Sequence, residues 1–351
     1  MFEGCEILEQ VVIPENVTSI GRSAFSGCKA LLNVNIPSGV TRVGSAIFSA
    51  CYSLQYTVKD GLRYVGNDSN KYHCLVGFDG SSVKSVNVDE RCGVIADGAF
   101  SSSSITSVNI KGNVTNIGDN LFSSCKALKE IVIPDSVTNI GGQAFANCSA
   151  LTKVVIGKNV KTIQYGAFRN CEALKEIVIP DSVTSIANDV FRGCDSLAKV
   201  IIGQNVTRIG SYAFYDCLAL KEIVIPDSVT SLGEDMFYAC FSLEKIVIGK
   251  GVTVLSRGLL QGCQSLKSVE IKGEVTSIEE LAINYCSSLK EIVIPSSVTN
   301  IGSSAFRCCY KLSTITFNGT VEEWNAITKP ITWISEALTS FVQCSNGKVN
   351  I

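Results

Sequence analysis

The chain of 351 residues has one histidine, His73, two methionines, two tryptophans and next to no net charge, with Lys+Arg 30 against Asp+Glu 32 for a formal -2. A single histidine leaves little room for Ser-His or Cys-His catalysis and nearly excludes a histidine-rich metal site. The balanced charge argues against a nucleic-acid partner, since phosphate binding needs a net basic surface. No apolar run reaches the roughly 18–20 residues of a membrane helix. There is no glycine-rich phosphate loop and no C-x-x-C pair, so neither a nucleotide cradle nor a zinc ribbon is indicated. Charged residues are only 18% and hydrophobic ones 46%, so a large core is available and disorder is disfavoured.

What the chain has in excess is cysteine, sixteen of them, and their spacing is regular. Cys125, Cys148, Cys171, Cys194, Cys217, Cys240, Cys263, Cys286 and Cys309 stand 23 residues apart, and Cys5, Cys28 and Cys51 keep the same interval. A fixed period of that length marks a stacked repeat and falls in the leucine-rich window. One unit reads LKEIVIPDSVTNIGGQAFANC, from Leu128 to Cys148. The next read LTKVVIGKNVKTIQYGAFRNC, LKEIVIPDSVTSIANDVFRGC and LAKVIIGQNVTRIGSYAFYDC. The recurring slots are apolar: Leu128, Ile131, Ile133, Val137, Ile140, Ala144, Phe145 and Cys148. Ile131 and Ile133 alternate as on a half-buried strand, Pro134-Asp135-Ser136 is a turn signal, and Ala144-Phe145 falls on a short helical or irregular arm. Each unit is too small to bury its own apolar face, so neighbours must stack.

This pattern resembles the BspA-like bacterial leucine-rich repeat family, with its L-x-x-I-x-I-P-x-x-V-x-x-I-x-x-x-A-F-x-x-C shape, over about nine tenths of the chain. The resemblance implies a secreted or cell-surface protein that binds host proteins. The expected fold is a leucine-rich repeat solenoid. It is a curved right-handed stack of about 14 coils, with a parallel β-sheet on its concave face and irregular or short helical convex arms. The third apolar slot numbers the rungs from Ile13, Ile36, Val58, Val88 and Ile110 through Ile133 to Phe317. At about 4.8 Å per rung the sheet would run roughly 65 Å along its arc.

The register breaks between Cys51 and Ser82. Gly61–Val65 and Cys74–Phe78 are strand-like and flank a polar segment, which predicts a β-hairpin inserted into one coil, near residues 56–82. The D-G-x-x-Y spelling here is similar to an insertion common in the family. Cys92 falls in the slot of Val137, so a small buried role is expected. The repeat body is expected over residues 1–320 and a C-terminal cap over 321–351. In the cap Val321 to Ile327 reads as a short helix and Asn346-Gly347 as a hairpin turn hiding the last strand edge. Met1-Phe2-Glu3-Gly4-Cys5 aligns with Met236-Phe237-Tyr238-Ala239-Cys240, so the chain reads as a piece of a longer protein, and its lack of a signal peptide is weak evidence for a cytoplasmic location.

A cysteine at one slot of every coil forms a ladder whose side chains point the same way about 5 Å apart. Disulfides need converging Cβ atoms nearer than that, so the prediction is reduced, buried thiols serving as apolar spacers. Adjacent residues on a strand face opposite ways, so His73-Cys74 is not expected to form a base and nucleophile. Cys308-Cys309 is expected to have no functional role. No residue is assigned to catalysis, a metal or a cofactor.

The surface expected to bind is the outward face of the sheet. One column there is Val132, Val155, Val178, Ile201, Val224 and Val247; beside it runs Glu130, Lys153, Glu176, Lys199, Glu222 and Lys245, with strictly alternating sign. Alternation lets adjacent rungs attract, each exposed pair contributing about 0.2–1 kcal/mol. Pro134, Gly157, Pro180, Gly203, Pro226 and Gly249 share the two-rung rhythm. Tyr215, Tyr238, Phe241, Tyr285 and Tyr310 form a second candidate patch. The expected function is a non-enzymatic, adhesin-like protein-interaction module. Its partner would be a protein, such as a host matrix or serum protein, or a glycan, and the chain would be monomeric. The alternatives are a spacer region of a larger surface protein and an intracellular interaction scaffold, which reduced cysteines would permit.

Overall fold

The computed structural model describes residues 2–79, 83–111 and 113–351. Met1 and Ser82, used above to align the start and to bound the insertion, lie outside them. Contacts separate the chain into two compact units, residues 1–171 and 172–351, each a β-solenoid of parallel strands with almost no helix.

In the first unit the coil from Leu128 to Cys148 shows the construction. The strand Glu130–Val132 buries Ile131 and turns Glu130 and Val132 outward. It pairs in parallel with Lys153–Val155. The turn closes with the Val137 N–H donating to the Pro134 carbonyl at 3.0 Å. A second strand of only two residues, Asn139–Ile140, follows and pairs in parallel with Asn116–Ile117 and Thr162–Ile163. All eight apolar slots of this coil are 0–2% exposed.

The arm is irregular, and the short helix considered for it does not form. Gln143 and Asn147 take positive φ of 54° and 61°, which breaks right-handed helical winding. The N–H groups of Gln143, Phe145 and Asn147 donate instead to Tyr165, Ala167 and Arg169 of the next coil, each at 2.8 Å. The intervening Ala144 and Ala146, and Cys148 after them, bond locally to residues three positions back. Alternating outward and inward donors satisfy the arm's backbone without a helix, but only when another coil is present.

Stacking also explains two recurring residue choices. A Cβ on Gly157 would collide with the carbonyl of Pro134 in the coil before it; in the second unit Gly203 faces Pro180 and Gly249 faces Pro226 in the same way. The Asp of each Pro-Asp-Ser turn then accepts from the backbone of that glycine coil, as in Lys158 N–H to Asp135 Oδ1 at 2.9 Å and Gln204 N–H to Asp181 Oδ1 at 2.7 Å. The proline–glycine rhythm is therefore a packing device.

The phenylalanines stack ring on ring. In the first unit Phe100, Phe122, Phe145 and Phe168 have successive centroids 5.1–5.2 Å apart; in the second Phe191, Phe214 and Phe237 are 5.4 Å apart. All sixteen cysteines are unbonded, and all but Cys5 are buried. The ladder thiols are more than apolar spacers. Cys148 Sγ donates to the Phe122 carbonyl at 3.1 Å, and Cys217, Cys240 and Cys263 repeat this toward Phe191, Phe214 and Phe237 at 3.2–3.3 Å. Each thiol serves the carbonyl of the residue 26 positions earlier, one coil back. Burial pushes these thiols up, Cys240 to about 12, so they remain protonated donors at neutral pH.

The Val58 rung corrects the sequence reading. Thr57–Lys59 pairs antiparallel with Leu62–Val65, which pairs antiparallel with Cys74–Phe78. Asp60 and Gly61, at φ of 51° and 77°, make a two-residue turn that folds the chain straight back, so Val58 is 59% exposed instead of filling a parallel rung. Cys74–Phe78 returns to the stack by pairing in parallel with Val94–Ile95. Cys92 is fully buried in the slot of Val137.

At the far end of the second unit the helix Val321–Ala326 starts with a capping box between Thr320 and Glu323. Past it the N–H groups of Ser304, Phe306 and Cys308 donate to Thr332, Trp333 and Ser335 at 2.9–3.1 Å, as other arms donate to a following coil. Phe341–Cys344 pairs in parallel with Thr314–Phe317 and antiparallel with Gly347–Asn350. The hairpin turn residues are Ser345 and Asn346, because Gly347 pairs with Cys344.

Candidate interaction surface

The outward sheet face is built by alternation: strands such as Glu130–Val132, Glu176–Val178 and Glu222–Val224 have the middle residue in the core and expose the two beside it. In the first unit Val132 and Val155 are exposed, and Glu130 stands in register with Lys153. Neighbouring rungs of the same face are polar. There Asn109 Nδ2 donates to Asn87 Oδ1 at 3.0 Å and the Ser107 hydroxyl donates to Ser85 Oγ at 2.8 Å.

In the second unit Val178, Ile201 and Val224 are 55%, 46% and 57% exposed, with Glu176 in register with Lys199 and Glu222 with Lys245. Lys199, Ile201, Glu222, Val224, Pro226 and Lys245 line a shallow depression there. Val247 departs from expectation: it is only 7% exposed. Its in-register neighbours are Val224 and Glu270.

The charge column is in the expected register, yet none of Glu130, Lys153, Glu176, Lys199, Glu222 or Lys245 closes an ion pair; among the described residues the pairs lie elsewhere, as in Lys29–Glu6 at 2.7 Å and Lys267–Glu244 at 2.6 Å. Exposed side chains held apart in this way contribute little to stability, so they are free to meet a partner.

Two members of the aromatic patch are used internally. Tyr215 stacks on Tyr238 with centroids 4.8 Å apart, and the Arg192 guanidinium lies 4.6 Å over the Tyr215 ring. Tyr215 is thus engaged by neighbours on its own arm stack, while Phe241, Tyr285 and Tyr310 remain about half exposed.

Sequence reasoning missed a polar cluster around the insertion. Asp89 is buried and accepts from Lys59 Nζ at 2.9 Å and Arg91 Nε at 2.8 Å. The Arg91 guanidinium beside it, then Lys59, hold its carboxyl well below the usual carboxylate range. Tyr72 packs under Arg91 at 4.1 Å. The Asp60-Gly61 dipeptide was the available signal for this departure. Cys308 Sγ donates to Glu336 Oε2 at 3.3 Å. Among the described residues no three His, Cys, Asp or Glu side chains group to hold a metal, and no helix is long and apolar enough to cross a membrane.

Comparison with known proteins agrees with this architecture. The family model for the BspA type leucine-rich repeat region, of six copies, matches over residues 1–125, 71–175, 93–221, 164–280 and 207–328. A leucine-rich repeat protein from Bacteroides ovatus is 27% identical, with a TM-score of 0.50, 93% of this chain covered and 76% of that one. A leucine rich cell surface protein from Faecalibacterium prausnitzii is 27% identical, with a TM-score of 0.44, over 92% of this chain and 90% of the other. The pneumococcal vaccine antigen PcpA shares the fold at 17% identity and a TM-score of 0.51, over 97% and 81% of the two chains. No curated protein matches. With the family model covering nearly the whole of its length, the chain belongs to the BspA-type leucine-rich repeat family.

Proposed function

We propose that this chain is a non-enzymatic module that binds a partner protein through the outward face of its long-strand sheet. The observation that supports this reading is the exposure of Val178, Ile201 and Val224 in consecutive rungs of the second unit, where every inward slot beside them is already filled. Contiguous exposed apolar side chains on a rigid scaffold are the usual mark of an interaction site. Glu176, Lys199, Glu222 and Lys245 border that patch and would set register without long-range steering, since their charges cancel. Glu130, Val132, Lys153 and Val155 form the corresponding patch of the first unit. In this reading the setting is secreted or cell-surface, in keeping with the family, and the partner is a host matrix or serum protein, or a glycan, met in an adhesin-like role. In this reading residues 1–320 are the repeat body with an insertion near 56–82, and residues 321–351 close its end.

A spacer role is the second reading, and one observation favours it: stacking alone explains the cysteine, phenylalanine and proline–glycine periodicities. The two readings part at the valines. The combined substitution Val178→Lys, Ile201→Lys and Val224→Lys should abolish capture of matrix or serum proteins with an unchanged melting temperature. Undiminished capture by the triple variant would refute the sheet-face reading.

A further inference from the structure

The only histidine sits at the seam where the insertion rejoins the stack. His73 is 7% exposed, and its backbone joins neighbouring segments: its N–H donates to the Asn70 carbonyl at 3.2 Å, and its own carbonyl accepts from Gly93 and Val94 at 2.9 and 3.1 Å. The ring packs directly on Gly93, where a Cβ would lie 2.7 Å from the imidazole Cε1. The carbonyls of Pro37 and Val40 face the ring from the preceding coil as hydrogen-bond acceptors that favour its charged form but are outweighed by burial, and Nε2 has no hydrogen-bond partner. Neutral imidazole tolerates this, with Nε2 as an unused acceptor. Imidazolium carries a second N–H and a full charge, and a buried charge without a partner is costly.

Among the described residues no side chain around the ring is free to balance that charge, and nothing accepts from Nε2. The Pro37–Val40 turn has no titratable side chain. On its own segment stand Lys71, Tyr72 and Cys74, and on the facing segment Asp89, Glu90, Arg91 and Cys92. Asp89 is already committed to Lys59 and Arg91, Glu90 is exposed, and the buried Cys74 and Cys92 thiols are pushed up by burial, Cys92 to about 12. Burial likewise lowers the affinity of His73 for a proton.

We propose that His73 is a pH-sensitive latch: neutral, it seals the inserted strand Cys74–Phe78 onto Val94–Ile95, and protonated it releases that strand locally while the second unit stays folded. The sign follows from linkage. The folded state holds the proton more weakly than the open state, so the closed seam is fully favoured above about pH 6.5 and weakens as pH falls below it.

Hydrogen exchange on the whole chain tests this, corrected for the intrinsic pH dependence of exchange. The opening constant read at the amides of Gly93, Val94 and Ala96, which donate to His73 and Leu75, should rise by up to about tenfold per pH unit below about pH 6.5. The amides of Phe214 and Phe237 should stay flat. His73→Phe should remove the rise at the seam. A seam opening that is independent of pH, or one that keeps its pH dependence in the variant, overturns the latch. Should the variant not fold, titration of the His73 Cε1 resonance in the native chain decides: a pKa below about 6.5 supports the proposal, and one at or above it refutes it.

Discussion

The coil from Leu128 to Cys148 and the insertion between Thr57 and Phe78 belong to the same unit and solve the same problem in opposite ways. The regular coil keeps ionisable carboxylates and amines on the surface and gives its buried slots to aliphatic, aromatic and thiol side chains. Its arm lends alternate N–H groups to the next coil, and its cysteine returns a donor to the coil before. The insertion pairs its strands antiparallel with itself and surrounds its junction with polar groups: Asp89 under two cations, Tyr64 accepting from the Asp89 N–H at 3.0 Å, and His73 with an orphan nitrogen. Repetition satisfies the backbone coil by coil, because each coil meets a copy of its own surface, although Arg169 Nε in a regular coil is also left without a partner. An interruption must build its partners individually, and charge is what it uses.

The comparison is broken most severely from the regular side. Phe145→Ala removes a fully buried ring with stacked neighbours on both sides, so a loss of about 3–5 kcal/mol is expected in urea unfolding followed by circular dichroism. A loss under about 1 kcal/mol would mean that the stack closes over the gap and that the ladder is not a continuous core.

Asp89→Asn probes the insertion and should cost about 1–3 kcal/mol through its lost charge-assisted bonds. Because the folded-state pKa of Asp89 is depressed, its stabilisation is present above about pH 4 and is lost as pH falls through the folded value. The difference between wild type and variant, measured by thermal melts across pH, should therefore shrink only in acid. A difference that shrinks near neutrality would assign the effect to another group.

The smallest effect separates two glycines on one side of the comparison. Gly157→Ala drives a methyl into the Pro134 carbonyl and should destabilise by about 1 kcal/mol or more, whereas Gly142→Ala meets nothing nearer than 3.6 Å and should be neutral or stabilising by about 0.4–1 kcal/mol. Melting temperatures that order the two variants the other way would remove the packing explanation of the proline–glycine rhythm.

Much of the regular coil was legible in advance because its period is also its contact map: Ile131 opposes Val154, and Glu130 opposes Lys153, each 23 residues on. The outward valines were readable from the same alternation. Val247 was not, since it holds the same slot as Val224 in the repeat yet is buried, a difference the period does not contain. Val58 escaped because it fits the periodic slot, and the local turn preference of Asp60-Gly61 overrides that fit. The two-residue strands, as at Asn139–Ile140, are too short to leave an alternation of their own.

The period, the identity of the inward slots and the need for coils to stack were determined by the amino-acid order alone, since apolar spacing dictates which faces must leave water. The tertiary structure decided the rest: that cysteine donates to a carbonyl one coil back, that glycine is required opposite proline, and that His73 is sealed without a partner for Nε2. Each depends on distances of a few ångströms between residues remote in the chain, and hydrogen bonds and steric contacts are set by those distances, which residue order does not contain.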